Sequence, residues 1–532
     1  MSRRTLETRQ EAHWGDRIIK CACDRPPQVD ALLKNSVGRH AARRAVLDAG
    51  TAISYAELDR TVDCLAGALQ AHGIAKGDRV ALLLRNGVEF VQIFFAVLRV
   101  GAIAVPLNVR EQEPELRHIL RHCHVQALFY STDLEERLPR QEDVKSVALW
   151  VAVGVGAAAR GKRLETFASK GGDLTLPSID EEDVAAIVYT SGTTGTPKGA
   201  MLTHLNLVHA GLQYQHAMDL GPEDRCVVTV PMSHVTGLTG AILASVTAGA
   251  ALITMMEFKA DRFLELAAHE RMTMTIMVPA MYKLCLLAAD FSSTDLSAWR
   301  IGGYGGAIMP AAVIEELAAK LPQLALMNCY GATETASPVA MMPSAETRGR
   351  ETSVGRAVPC GEILVMDDAG HELPPGKIGE IWLRSATTAQ GYWNDPAATA
   401  REFTAGFWRS GDIGTLDAAG YLTLLDRKKD MINRGGFKIF AAEVESVLAR
   451  HPDIAESAVV GKPCPVLGER VHAFVVPRDG GFDAESARAL CAANLSDFKV
   501  PESFTVRTTP LPRNANGKVL KRQLRAELEP TK

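Results

Sequence analysis

Between residues 79 and 107 the spacing of apolar positions changes character twice. RVALLL (79–84) is a short unbroken apolar run, the pattern of a strand covered on both faces. VEFVQIFFAVLRVG (88–101) is long enough for a buried helix, and AIAVPL (102–107) returns to strand. The alternation continues with RCVVTVP (225–231) as strand, LTGAILASVTAG (238–249) as helix and AALITM (250–255) as strand. DRFLELAAHERM (261–272) then reads as helix and TMTIMVP (273–279) as strand. This β-α-β rhythm predicts an α/β fold whose large N-terminal domain holds mostly parallel sheets covered by helices. No fixed-period repeat interrupts it.

Two stretches depart from the rhythm. Residues 153–173 are rich in Gly, Ala and Lys without a clear period, which predicts a surface connection. From Gly379 the pieces shorten to EIWLRS and YLTLL, predicting a β-rich subdomain. The charged run DRKKD (426–430) then breaks the apolar pattern. Beyond it, AAEVESVLARH reads as helix and SAVVG and HAFVVP as strands, a length suited to a small α+β domain. The expected division is 1–426 and 427–532.

Composition changes this picture little. The 532 residues exceed what one core normally serves, and 47% apolar with 23% charged residues is ordinary for globular chains. A net charge of −4 gives no basic footprint for nucleic acid. The ten cysteines form no C-x-x-C pair, which argues against a metal or disulfide framework and suits a reducing cytoplasm. The polar N-terminus lacks an apolar secretory core. The greasiest stretch, 90–107, carries Gln92 and Arg99 and falls short of the roughly 20 apolar residues of a spanning helix, so no transmembrane segment is expected.

Chemistry concentrates in IVYTSGTTGTPKGAML (187–202). AAIVY (185–189) predicts a buried strand, and the loop leaving it offers what phosphate needs. Its glycines free backbone N–H groups for an anion, Thr190, Ser191, Thr193, Thr194 and Thr196 bring hydroxyl donors, and Lys198 brings charge. A loop of this composition is otherwise an ordinary surface turn. It is not a Walker loop: counted from Gly192, the second glycine would fall on Pro197, and Lys198 is followed by Gly199 instead of Ser or Thr.

YTSGTTGTPKG (189–199) resembles the signature loop of the adenylate-forming superfamily, which includes acyl-CoA synthetases, amino-acid adenylation domains and beetle luciferases. PMSHVTG (231–237), YGGAIMP (304–310), NCYGATET (328–335), WRSGDIG (408–414), DRKKDMINRGGFKI (426–439) and PRNANGK (512–518) resemble further motifs of that family, in its order. The likeness runs roughly from residue 50 to 525, and Ile308 stands where the family often has proline.

The resemblance implies a reaction in which a carboxylate and ATP give an acyl-adenylate and pyrophosphate, and a thiol then takes the acyl group. Thr190, Ser191, Gly192, Thr193, Thr194, Gly195, Thr196 and Lys198 would cover the outer phosphates, and Thr333 would meet the α-phosphate. Glu334 would hold Mg²⁺. Gly306, Ala307, Asn328, Cys329, Tyr330 and Gly331 would line the adenine slot, while Asp412 and Arg427 would serve the ribose. Lys518 would bridge carboxylate and α-phosphate as negative charge builds. Lys429 falls at the family's hinge, about which the small domain swings. Gly435, Gly436 and Lys438 would then receive CoA.

His234, Val235, Thr236, Gly237, Tyr304 and Gly305 would wall the acyl pocket, with His234 as a gate between it and the thiol. None of these carries a fixed charge, so an apolar aliphatic or aromatic acid is expected. The expected partners are thus this acid, ATP and CoA, with room for a homodimer. An enzyme that loads a carrier protein with an amino or acyl group is the alternative. It is disfavoured because HVTG offers no aspartate for an amine. A luciferase-type oxygenase shares the first half-reaction, whereas a non-catalytic nucleotide-binding regulator would be expected to lack Lys518 or Glu334.

Overall fold

The computed structural model describes the chain apart from residues 1–5, 157–159, 170, 171, 173, 191–196, 308, 337, 345, 479, 480, 514–516 and 529–532. By packing it divides into two compact units, Met1–Ile363 with Leu383–Arg409, and Leu364–Trp382 with Ser410–Lys532. The fold is mixed α/β, as the alternating pattern predicts.

One sheet of the first unit runs in the order Lys198–Thr203, Val184–Thr190, Ile103–Pro106, Arg79–Leu83, Ala127–Ser131, Leu149–Val153 and Lys162–Arg163. Its neighbours are parallel except the first pair. A second parallel array sets Arg44–Asp48, Ala251–Thr254, Arg225–Val228, Met274–Met277, Ile301–Tyr304 and Ala325–Tyr330 side by side. Such strands are buried on both faces, which is why their sequences read as unbroken apolar runs.

Helix Val88–Arg99 makes the crossover between Arg79–Leu83 and Ile103–Pro106. It is apolar nearly all round, and Phe90, Phe94 and Phe95 are fully buried. Arg99, in its last turn, is 1% exposed and lies in a cage of carboxylates. Its guanidinium donates to Asp30 at 2.8 Å, Asp59 at 2.7 Å and Asp63 at 2.7 Å. One cation thereby ties Val88–Arg99 to helices Val29–His40 and Tyr55–Ala71, which carry those aspartates.

Two stretches differ from the sequence reading. Within 153–173, Lys162–Arg163 adds an edge strand and Leu164–Ala168 a short helix. Phe167 is fully buried, its ring centroid 5.3 Å from that of Phe129. A single aromatic anchor in a polar stretch leaves no period to detect. The helix expected at 238–249 begins earlier and is wound wide, as a π-helix over Thr236–Leu243 continued by Ala244–Ala248. Such windings often mark functional sites.

In the second unit, residues 412–416 pair with 422–427 as an antiparallel ribbon. A further sheet runs Phe437–Ile439, Ile432–Arg434, Gly468–Pro477 and Ile454–Cys464, with Ser503–Val506 parallel to Gly468–Pro477. Helices Ala441–Leu448 and Ala484–Asn494 cover a core of Ile439, Val444, Leu448, Val459, Val471 and Val475. Among the described residues no helix is long and apolar enough to cross a membrane.

Candidate active site

The Gly/Thr loop joins two antiparallel strands, Val184–Thr190 and Lys198–Thr203, with Thr190 opposite Lys198. A strand therefore intervenes before the capped helix His204–Ala217, unlike the strand–loop–helix order of a Walker site. Gly199 is fixed by crowding: a Cβ there would lie 2.7 Å from Ile187 Cγ2. Ser191, Gly192, Thr193, Thr194, Gly195 and Thr196 lie outside the described residues.

Lys198 is described, and its ammonium lies 2.7 Å from both carboxylate oxygens of Glu402 and 4.2 Å over the ring of Tyr392. Tyr392 Oη in turn sits 2.7 Å from Glu402 Oε2 and 2.9 Å from Glu334 Oε1. The chain of contacts thus runs from the loop's lysine to the carboxylate expected to hold a metal. Local structure explains each position. Ala200 pairs with Tyr392 across an antiparallel bridge, held by Met201 N–H to Gly391 O and Trp393 N–H to Gly199 O. Glu402 ends helix Pro396–Glu402, whose first turn is capped by Asp395 accepting from Ala398 N–H at 2.9 Å.

Glu334 lies in the single turn Thr333–Thr335, and its carbonyl accepts from Ala389 N–H at 2.8 Å. Ala336 follows in the left-handed region at φ 45°, a conformation that non-glycine residues adopt at a cost and that clusters near functional sites. Burial pushes the Glu334 carboxyl above its ordinary range, opposed in part by Tyr392 and Lys198. Burial also pushes Glu402 upward, but Lys198, Tyr392 and Arg401 outweigh it and hold that carboxyl low.

The residues expected at the adenine slot come together through register. Tyr304 pairs with Asn328 on neighbouring parallel strands, so Gly305 and Gly306 leave their strand beside Cys329 and Tyr330. A Cβ on Gly305 would lie 2.6 Å from the Cys329 carbonyl oxygen, so only glycine admits this approach. Tyr304 is buried, which pushes its hydroxyl up to about 12.

The expected acyl wall is uncharged in the structure as well. Val235 and Leu238 are buried, and Thr236 N–H donates to His234 Nδ1 at 3.3 Å, which leaves the neutral ring's hydrogen on Nε2. The wide helix and strand Ile301–Tyr304 both close on Ile276. A Cβ would lie 2.7 Å from its Cδ1 at Gly240 and 2.9 Å from its Cγ1 at Gly303.

The remaining expected residues belong to the second unit. Asp412 and Arg427 face each other across their ribbon, Oδ1 to Nε 2.6 Å. Lys429 is exposed, between Lys428, paired with Asp368 at 2.9 Å, and Asp430, paired with Arg525 at 2.8 Å. Gly435 and Gly436 form the turn of hairpin Ile432–Ile439, both at positive φ (58° and 91°), as a tight two-residue turn requires. Lys438 is exposed on its second strand. Lys518 is also exposed, in a loop closed by pairing of Arg513 with Val519.

Outside these sites, Glu11, His13 and Cys21 gather donor atoms in the N-terminal hairpin. The Glu11 carboxylate is already taken by Arg25, at 2.6 and 3.0 Å, and by Arg9 at 2.7 Å. The trio is a hydrogen-bonded network, not a ligand set.

Tyr392 and Glu402 escape sequence reasoning. Glu402 lies 204 positions from Lys198 and Tyr392 58 from Glu334. The available signal was the Asp-Pro helix start after GYWN.

Comparison with known proteins places the chain in a family. Residues 33–393 match the AMP-binding enzyme family and 443–518 its C-terminal domain. An indoleacetate–CoA ligase of Aromatoleum aromaticum is 36% identical over 479 residues, 89% of this chain and 92% of its own. The long-chain-fatty-acid–CoA ligase FadD13 of Mycobacterium tuberculosis is 34% identical over 483 residues, 90% of this chain and 94% of its own. The crystal structure of an anthranilate CoA ligase, AuaEII, with anthranoyl-AMP superposes with a TM-score of 0.87 at 25% identity, covering 94% of this chain and 97% of the other. The chain belongs to the AMP-binding enzyme family, as an acyl-CoA ligase of the AMP-forming kind.

Proposed function

We propose that the protein joins an apolar monocarboxylic acid, aromatic or aliphatic, to CoA in two half-reactions. A carboxylate oxygen attacks the α-phosphorus of ATP and pyrophosphate leaves. The CoA thiol then attacks the acyl carbon of the adenylate, and AMP leaves. The observation that supports the substrate class is that Val235, Leu238 and Tyr304, expected at the acyl wall, are uncharged and buried. A second carboxylate there would stand desolvated without a partner.

The roles divide as follows. Backbone and hydroxyl donors of the 190–196 loop hold the leaving phosphates, Thr333 the α-phosphate, and Asp412 the ribose hydroxyls. Lys518 steadies the charge shared by the attacking carboxylate and the α-phosphate. His234 borders the carboxylate as a gate; it need not act as base, since a thiol is already partly ionised near neutral pH. The segment beyond Lys429 turns between the half-reactions and brings Gly435, Gly436 and Lys438 to CoA, so that the functional division falls between 426 and 427.

Glu334 suits Mg²⁺, a hard cation that takes one or two carboxylates beside phosphate oxygens. Its desolvated carboxyl is disfavoured as a bare anion, and a divalent ion compensates it. When bound, the ion neutralises phosphate charge.

Pyrophosphate release with a panel of acids, with and without CoA, tests the reading. Apolar aromatic or aliphatic acids are expected to drive release, and CoA to accelerate turnover. Release driven by amino acids alone, indifferent to CoA, would favour the carrier-loading alternative.

A further inference from the structure

Lys198, Glu402, Tyr392 and Glu334 form a continuous series of contacts whose members the motif reading treats separately or omits. Only the outermost, Lys198, is a cation. It is 11% exposed, and Glu402 occupies its ammonium through both oxygens. Arg401 adds a second contact to Glu402 at 3.0 Å. A lysine held this way serves the carboxylate beneath it. The Tyr392 ring lies under the lysine and packs edge-on to Phe403 at 5.5 Å, while its single hydroxyl hydrogen is shared between Glu402 Oε2 at 2.7 Å and Glu334 Oε1 at 2.9 Å. Tyr392 N–H is also anchored, donating to Thr399 Oγ1 at 2.9 Å.

We propose that Tyr392 is a positioning residue that fixes one oxygen of the Glu334 carboxylate, and that Glu402 and Lys198 hold Tyr392 in place for this task. The proposal rests on the assignment of the metal to Glu334 made above. A carboxylate with one oxygen pinned by a rigid phenol presents its other oxygen in a fixed direction, which is what a metal ligand requires of its supports. Without the hydroxyl, Glu334 loses its side-chain donor in a buried setting and swings between rotamers. Lys198 thus acts on the site through Glu402 and Tyr392, and the loop's N–H and hydroxyl groups remain for the phosphates.

The test is binding of Mn²⁺·ATP, without acid or CoA, followed by the electron paramagnetic resonance of the metal in wild type, Tyr392→Phe, Glu334→Gln and the double variant. Tyr392→Phe is expected to weaken Mn²⁺·ATP binding on the order of 10-fold, the usual scale for removing a support of a metal ligand. Glu334→Gln should weaken it at least as much. The double variant should be no worse than Glu334→Gln alone, because residues acting in series are not additive. Attack of CoA on supplied acyl-adenylate should stay unchanged in Tyr392→Phe. Should that variant fold poorly, Glu402→Ala removes the contact that holds the phenol in place and is expected to weaken Mn²⁺·ATP binding in the same direction. Wild-type metal binding in Tyr392→Phe beside a defective Glu334→Gln would overturn the positioning role and leave the metal assignment standing. Wild-type binding in Glu334→Gln would overturn both.

Discussion

Lys518→Ala is expected to lower adenylation by roughly 10³-fold while the attack of CoA on supplied acyl-adenylate stays within about twofold of wild type. Adenylation brings a carboxylate against a triphosphate, and charge accumulates on the oxygens around the α-phosphorus. Of the side chains expected at that phosphorus, Thr333 is a neutral donor and Lys518 the cation. In the second half-reaction the charge develops at a different place, on the acyl oxygen and the departing phosphate. Pyrophosphate exchange measures the first step, and thioester formation from synthetic adenylate measures the second. Equal loss in both would contradict the separate use of Lys518. The loop that carries it is closed independently, by Arg513 pairing with Val519 and donating to Gly517 O at 2.9 Å, so the substitution leaves its frame intact.

The largest effect on stability is expected at Arg99. Its guanidinium touches three aspartates on two other helices, and Asp30 is nearly as buried as the arginine. Arg99→Met would match the volume roughly but leave a buried carboxylate without compensation, and breaking a buried pair this way costs about 3–5 kcal/mol. Asp30 already has its carboxyl pushed upward by burial with Arg99 present. Urea unfolding followed by tryptophan fluorescence should show the earliest transition at clearly lower denaturant in Arg99→Met. Replacing Arg99 and Asp30 together by apolar residues should recover part of the loss, since the cost lies in the stranded charge. An unchanged midpoint in Arg99→Met would show that the cage contributes no net stability.

Arg99 also illustrates what the chain discloses. Its place in a greasy stretch excludes a membrane span, but the three aspartates that accept it lie 36 to 69 positions away, and no local period announces them. Arg79–Leu83, Ile103–Pro106 and Val184–Thr190 in one sheet, and Arg225–Val228, Ala251–Thr254 and Met274–Met277 in the other, were legible because burial on two faces writes itself into unbroken apolar runs. The Gly/Thr loop and the motifs after it were legible because their chemistry needs particular residue types in sequence. The clamp on Glu334 was not. Tyr392 and Glu402 look like an ordinary buried aromatic and a helix-end glutamate until Lys198–Thr203 is seen to pair beside residue 392. That strand, KGAMLT, is short and shows no alternation that would announce an edge pairing. The wide winding at Thr236–Leu243 was hidden for a related reason. Gly237 is set by backbone contact with Pro231, where a Cβ would lie 2.2 Å from the carbonyl oxygen, and spacing along the chain does not encode that contact.

The account depends on the acid's own oxygen reaching the innermost phosphorus of ATP. Turnover of an accepted acid labelled with ¹⁸O in its carboxylate, with mass analysis of the nucleotide product, tests this most directly. One labelled oxygen should appear in AMP for each thioester formed, with pyrophosphate unlabelled. Label in inorganic phosphate, with ADP as the spent nucleotide, would contradict it.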